Sequence, residues 1–193
     1  MINELIFAFI SLTVVYNPFS KPPQIISVTE GMSDEERKNV AIRATSIAWL
    51  LGAGAAFFGY FILQTLDIQI SSFKIFGGVI LLIYGAQFGL GFSIGKKKKH
   101  DTTDVAIVPL ATPLLTGPGG ISALMLFTAD YGYFVALAAL TLCLLVCFIF
   151  MWFAKFICDT LNEQTVKVVS RLMGMILVAI AVQFIFSGLG IAK

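Results

Sequence analysis

Charge is what this sequence has least of. Asp, Glu, Lys and Arg make up 12% of its 193 residues, about half the roughly 25% usual in a soluble domain. With 58% hydrophobic residues and a mean hydropathy of +0.92, the composition excludes an ordinary soluble globule and points to a membrane protein. Histidine is nearly missing: His100 stands alone beside a lysine run. The three cysteines, Cys143, Cys147 and Cys158, lie in or at the end of one apolar run with no histidine nearby. That spacing does not support a Cys/His metal centre, and the cysteines read as small apolar packing residues. The eleven carboxylates all fall at the ends of apolar runs or between them. No nucleophile has a base partner, no acidic cluster could hold a catalytic metal, and there is no phosphate-binding P-loop. An enzyme is not expected, nor a cofactor, nor a nucleic-acid partner. The opening residues Met1–Glu4 carry no basic region, so no removable signal peptide is expected.

What the chain does have is long apolar runs. A helix crossing the roughly 30 Å hydrocarbon core needs about 20 apolar residues. Five segments qualify: residues 40–63, 72–94, 105–129, 132–157 and 167–190. A sixth, residues 4–30, qualifies if "NPFSKPPQ" (17–24) is an interruption within one span. Gly31 is a plausible helix C-cap, and Ser33 with Glu36 fits the S-x-x-E capping box at the start of the next helix. Ten of the thirteen Lys and Arg residues fall in the joints following the first, third and fifth spans. The positive-inside rule then puts those joints in the cytoplasm and both termini outside.

All six prolines lie in two stretches, "NPFSKPPQ" and "PLATPLLTGPGG" (109–120). The two halves of the chain resemble each other at an offset of 96 residues: "FGGVILLIYGAQF" (76–88) lies over "LMGMILVAIAVQF" (172–184), and Pro22 lies over Pro118. Each half carries three spans. An odd number means that the second half enters the membrane from the opposite face, an inverted repeat of the kind found in secondary transporters. The predicted fold is therefore an all-α membrane protein, a single domain over 1–193. Its six transmembrane helices form two inverted three-helix repeats (about 1–95 and 104–193), with the first helix of each broken.

Broken helices survive at membrane depth only inside protein or beside a water-filled cavity. New half-helices are expected near Gln24 and Gly120, with their first N–H groups available to an anionic group. Asn17, Pro18, Ser20, Lys21, Pro22, Pro23 and Gln24 in the first break form the predicted substrate site. Thr112, Pro113, Thr116, Gly117, Pro118, Gly119 and Gly120 supply the second half of it. An ionisable residue inside the membrane, here Lys21, is a functional candidate by default, although a lysine can also snorkel to the interface. Gln87 and Gln183, matched by the repeat, either bond across it or line the cavity. The spacings Gly85-x-x-x-Gly89 and Gly91-x-x-x-Gly95 read as close helix packing. Lys96–Lys99 read as a topological signal, with anionic lipid binding as the sharper alternative.

These same motifs resemble those of the MarC-type membrane proteins, also called small neutral amino acid transporters. The resemblance rests on Asn17-Pro18 through Pro23, on "PLATPLLTGPGGI" (109–121) and on "RLMGMILVAIAVQFIFSG" (171–188), and runs nearly end to end. It implies a six-span protein of the bacterial or archaeal inner membrane, carrying a small neutral amino acid such as glycine or alanine. Ser20-Lys21 departs from the family's usual neutral pair. The other reading is a non-transporting membrane partner or regulator. Proton or sodium coupling, and a homodimer, stay open.

Overall fold

A computed structural model describes residues 2–90, 118–160 and 163–191. The described residues form helices only: α1 (Ile2–Tyr16), α2 (Lys21–Val28), α3 (Asp34–Thr65), α4 (Ile70–Leu90), α5 (Pro118–Tyr131), α6 (Tyr133–Trp152), α7 (Ala154–Thr160) and α8 (Glu163–Gly188). A 3-10 turn, Pro18–Ser20, stands between α1 and α2. Five stretches are long and apolar enough to cross a membrane: Ile2–Val28, Asp34–Leu63, Ile70–Gln87, Tyr133–Trp152 and Gln164–Gly188. They match five of the six expected spans. Of the sixth, 105–129, only the part in α5 lies within the described residues; Lys96–Lys99, Gly91 and Gly95 lie outside them. The surface suits lipid: Phe58, Phe61, Leu50 and Phe134 are each at least 65% exposed, which water would not tolerate over such an extent.

α5 occupies the centre. Ala123, Leu124, Leu126 and Phe127 are buried there. The Phe127 ring meets Phe7 of α1 edge-on at 6.2 Å and Phe184 of α8 at 5.8 Å. α3 and α6 flank it. Trp49 Nε1 donates to Thr141 Oγ1 across their contact at 3.0 Å, and Thr141 donates in turn to the Leu137 carbonyl.

The most extensive helix pairing among the described residues is α4 on α8. It runs antiparallel and is built on residues with little or no side chain. A Cβ added to Gly78 would sit 2.8 Å from the Ala181 carbonyl oxygen, one on Gly85 2.9 Å from that of Gly174, and one on Gly188 2.7 Å from that of Ser71. Backbone therefore packs on backbone, the arrangement that lets dispersion drive helix association in lipid. Gly89, by contrast, has only ordinary contacts at 3.8 Å, so the expected Gly85–Gly89 pair works through Gly85 alone. These contacts also respect the 96-residue offset. Shifting Gly78 forward gives Gly174 and shifting Ala181 back gives Gly85, so the two contacts exchange.

The joint before α3 forms the expected capping box: Glu36 N–H donates to Ser33 Oγ at 3.2 Å, while the Ser33 N–H and hydroxyl both donate to Glu36 Oε2 at 2.8 Å. Gly31 does not cap α2, which ends on Thr29; it turns the chain two residues later at φ +87°. At this end of the bundle Asp34 holds Arg37 and Lys155, and Lys38 lies 4.8 Å above the Trp152 ring. At the other end Lys74 pairs with Asp130 at 2.8 Å. Residues 132–157, read as one span, are two helices. α6 stops at Phe153, where φ −95° and ψ 19° leave the helical region, and α7 continues.

Candidate functional site

The first helix breaks within residues 17–24, as expected, but at Asn17 and not at the paired prolines. α1 ends at Tyr16, and Asn17 turns the chain in the left-handed region (φ 46°, ψ 73°). Asparagine tolerates that conformation better than most residues, since a Cβ normally makes it costly. Pro18 then opens the 3-10 turn, and Pro22 and Pro23 fall in the first turn of α2. There a missing N–H costs nothing and the fixed φ favours a helix. The prolines therefore start the second half-helix at Lys21, not at Gln24. Pro118 is the first described residue of α5.

This start changes the expected chemistry of the first break. The Lys21 N–H already donates to the Pro18 carbonyl, and Pro22 and Pro23 have no N–H to offer. The α2 terminus is poor in backbone donors, so recognition falls to side chains. Ser20 is spent on the turn itself, its N–H and hydroxyl both donating to the Asn17 carbonyl at 3.1 and 2.8 Å. Asn17 is different. It is fully buried, and neither its Oδ1 nor its Nδ2 has a hydrogen-bond partner among the described residues. Leaving such a group unpaired costs about 1–3 kcal/mol, so a buried orphan amide marks a place that a ligand or water can fill. The Oε1 of Gln24, in the first turn of α2, is likewise buried without a partner.

Lys21 is 4% exposed. It does not snorkel; it lies within electrostatic reach of Cys143 and Cys147 on α6. Pro18 and Pro22 are buried, Gln24 is half-buried and Pro23 is exposed. The described part of the second predicted break comes to the first. Gly119 and Gly120 in α5 are buried, and a Cβ on Gly120 would sit 3.1–3.2 Å from the ring and hydroxyl of Tyr16. One on Gly119 would meet Leu81 of α4 at 3.1 Å. So Asn17, Ser20, Lys21, Gly119 and Gly120 cluster around the end of α1. Thr112, Pro113, Thr116 and Gly117 lie outside the described residues. Gln87 is half-buried on α4, whereas Gln183 is exposed on α8, not packed between the two helices. Sequence reasoning missed Tyr16, which lies against Gly120 of α5, and the two cysteines beside Lys21.

Residues 17–24 thus carry buried side-chain groups of both polarities: the Asn17 Nδ2 and the Lys21 amine can donate, and the Asn17 Oδ1 and Gln24 Oε1 can accept.

The relatives of the chain agree with its membrane character. The family profile described as "MarC family integral membrane protein" matches residues 2–192. The UPF0056 membrane protein MJ1677 of Methanocaldococcus jannaschii is 34% identical over 97% of each chain. The UPF0056 membrane protein YhcE of Escherichia coli is 32% identical over 94% of this chain and 89% of its own. YvbG of Bacillus subtilis, also a UPF0056 membrane protein, is 29% identical over 98% and 95%. No solved structure matches. With a profile covering almost every residue and relatives of the same length and character, the chain belongs to the MarC family of integral membrane proteins.

Proposed function

We propose that the chain is a secondary transporter. It carries a small zwitterion, in first place a neutral amino acid such as glycine or alanine, across the cytoplasmic membrane. The observation that carries this reading is the orphaned Asn17 amide, buried beside Lys21 where the interrupted first helix meets the start of α5. Holding an unpaired amide at membrane depth is costly, and a solute with its own donors and acceptors removes the cost. Gly119, Gly120 and Tyr16 crowd the site, which favours a solute with a short side chain. The exchange of the α4–α8 contacts under the 96-residue offset supports an inverted repeat, in which the halves trade roles as the site opens to either face. In this reading the basic end, with Arg37, Lys38 and Lys155, faces the cytoplasm.

Purified protein in proteoliposomes tests the proposal through radiolabelled glycine and alanine flux, with and without proton and sodium gradients. Lys21→Ala and Gly120→Leu are expected to lower flux about 10-fold or more, as loss of a charged hydrogen bond worth ~1.5–3 kcal/mol would. No flux of any amino acid, in either direction and under any gradient, would sink the transporter reading in favour of a non-transporting partner.

A further inference from the structure

Lys21 does more than border the break. It faces Cys143 and Cys147, one turn apart on α6, both fully buried, with their thiols in mutual hydrogen-bonding reach. We infer that Cys143 and Cys147, with Lys21 as counter-charge, bind a monovalent soft metal ion, Cu(I) or Ag(I). Three physical arguments select this ligand.

The first is reach. Side chains four apart on a helix have Cβ atoms about 5–6 Å apart, too far for a disulfide, which wants about 3.8 Å. A two-coordinate ion between the sulfurs needs them about twice a metal–sulfur bond of ~2.3 Å apart, a modest opening of the thiol–thiol contact. The second is donor number. No group of three or more His, Cys, Asp or Glu that could hold a metal occurs among the described residues, so the pair offers two sulfur donors, and soft sulfur ligands select Cu(I). The third is charge. Binding breaks two S–H bonds, forms two metal–sulfur bonds and releases two protons to water. The product, two thiolates on a +1 ion, carries one negative charge, which the Lys21 ammonium neutralises inside the bundle.

A cavity of about 330 Å³ opens at the basic end, lined by Arg37, Lys38 and Lys155 together with Asp34, Asp159, Trp152 and Met151. Met151, 1% exposed, is one helical turn from Cys147. Its thioether is a soft donor, and positions 151, 147 and 143 follow one another at helical-turn spacing along α6. This site holds whether or not the chain carries amino acids.

The test titrates the full-length protein in lipid nanodiscs with Ag(I) in chloride-free buffer and measures the silver retained after desalting. Wild type and Cys158→Ala are expected to retain about one ion per chain, and Cys143→Ala and Cys147→Ala none. Lys21→Met is expected to bind about 10–100-fold more weakly, the usual effect of removing an outer-shell partner. X-ray absorption on the loaded wild type is expected to give two sulfur ligands, and it needs no variant to fold. No silver on wild type, full retention by Cys143→Ala, or a coordination shell of nitrogen and oxygen would each overturn the assignment.

Discussion

Asn17→Gly is expected to abolish most transport while leaving the protein as stable as before. Glycine adopts the left-handed conformation at position 17 without the Cβ penalty, so the turn between α1 and α2 is kept. The lost amide makes no hydrogen bond among the described residues, so the folded state loses no partner there. Removing an unpaired buried amide relieves ~1–3 kcal/mol. Against this stand a small cavity and a glycine entropy cost of about 0.5–1 kcal/mol. Thermal unfolding in detergent should therefore move little, in either direction. Solute flux should fall about 10–100-fold, the value of a hydrogen bond to a charged group. An ordinary structural asparagine would give the opposite pattern, a clear loss of stability with flux following expression.

The second large effect lies at the α4–α8 seam. Gly78→Ala, Gly85→Ala and Gly188→Ala each drive a methyl to within 3 Å of a backbone oxygen on the partner helix. A carbonyl cannot step aside as a side-chain tip can, so the helices must separate along their length. Overpacking of this kind costs about 1–3 kcal/mol, and two such changes together should consume a large part of a margin of ~5–15 kcal/mol. Gly54→Ala is the matched control, because nothing lies within 4 Å of its added Cβ. Alanine there should be neutral or gain up to ~1 kcal/mol from helix propensity. Thermal or denaturant unfolding of the four variants side by side measures the contrast. Equal effects at Gly54 and Gly85 would mean that the seam is not packed backbone to backbone.

Much of this architecture was legible in the sequence, because the signals were local or periodic. Apolar length marked the spans, and serine with glutamate three residues on marked the start of α3. The prolines of "NPFSKPPQ" marked an interruption in the first helix. They did not locate it, because proline both ends helices and begins them. The prolines at 22 and 23 begin one, and the turn itself rests on Asn17, whose left-handed conformation leaves no trace in composition. The end of α6 at Phe153 was illegible for a similar reason, since no proline or glycine stands there. The approach of Lys21 to Cys143 and Cys147 joins residues more than a hundred positions apart, and no local pattern encodes it. Gln183 shows the limit of the repeat: its match to Gln87 is plain in sequence, but helix phase against α4 leaves it exposed.

The central claim is that the end of α1 and the start of α5 together make one buried site for a small zwitterion. Equilibrium binding of labelled glycine and alanine to the purified protein tests it most directly, because binding needs neither a gradient nor a transport cycle. The account predicts saturable binding to wild type, lost in Asn17→Gly and Lys21→Ala, with both variants folded by thermal unfolding. Binding that survives both substitutions unchanged, or no binding of any small zwitterion to a folded wild type, would contradict it.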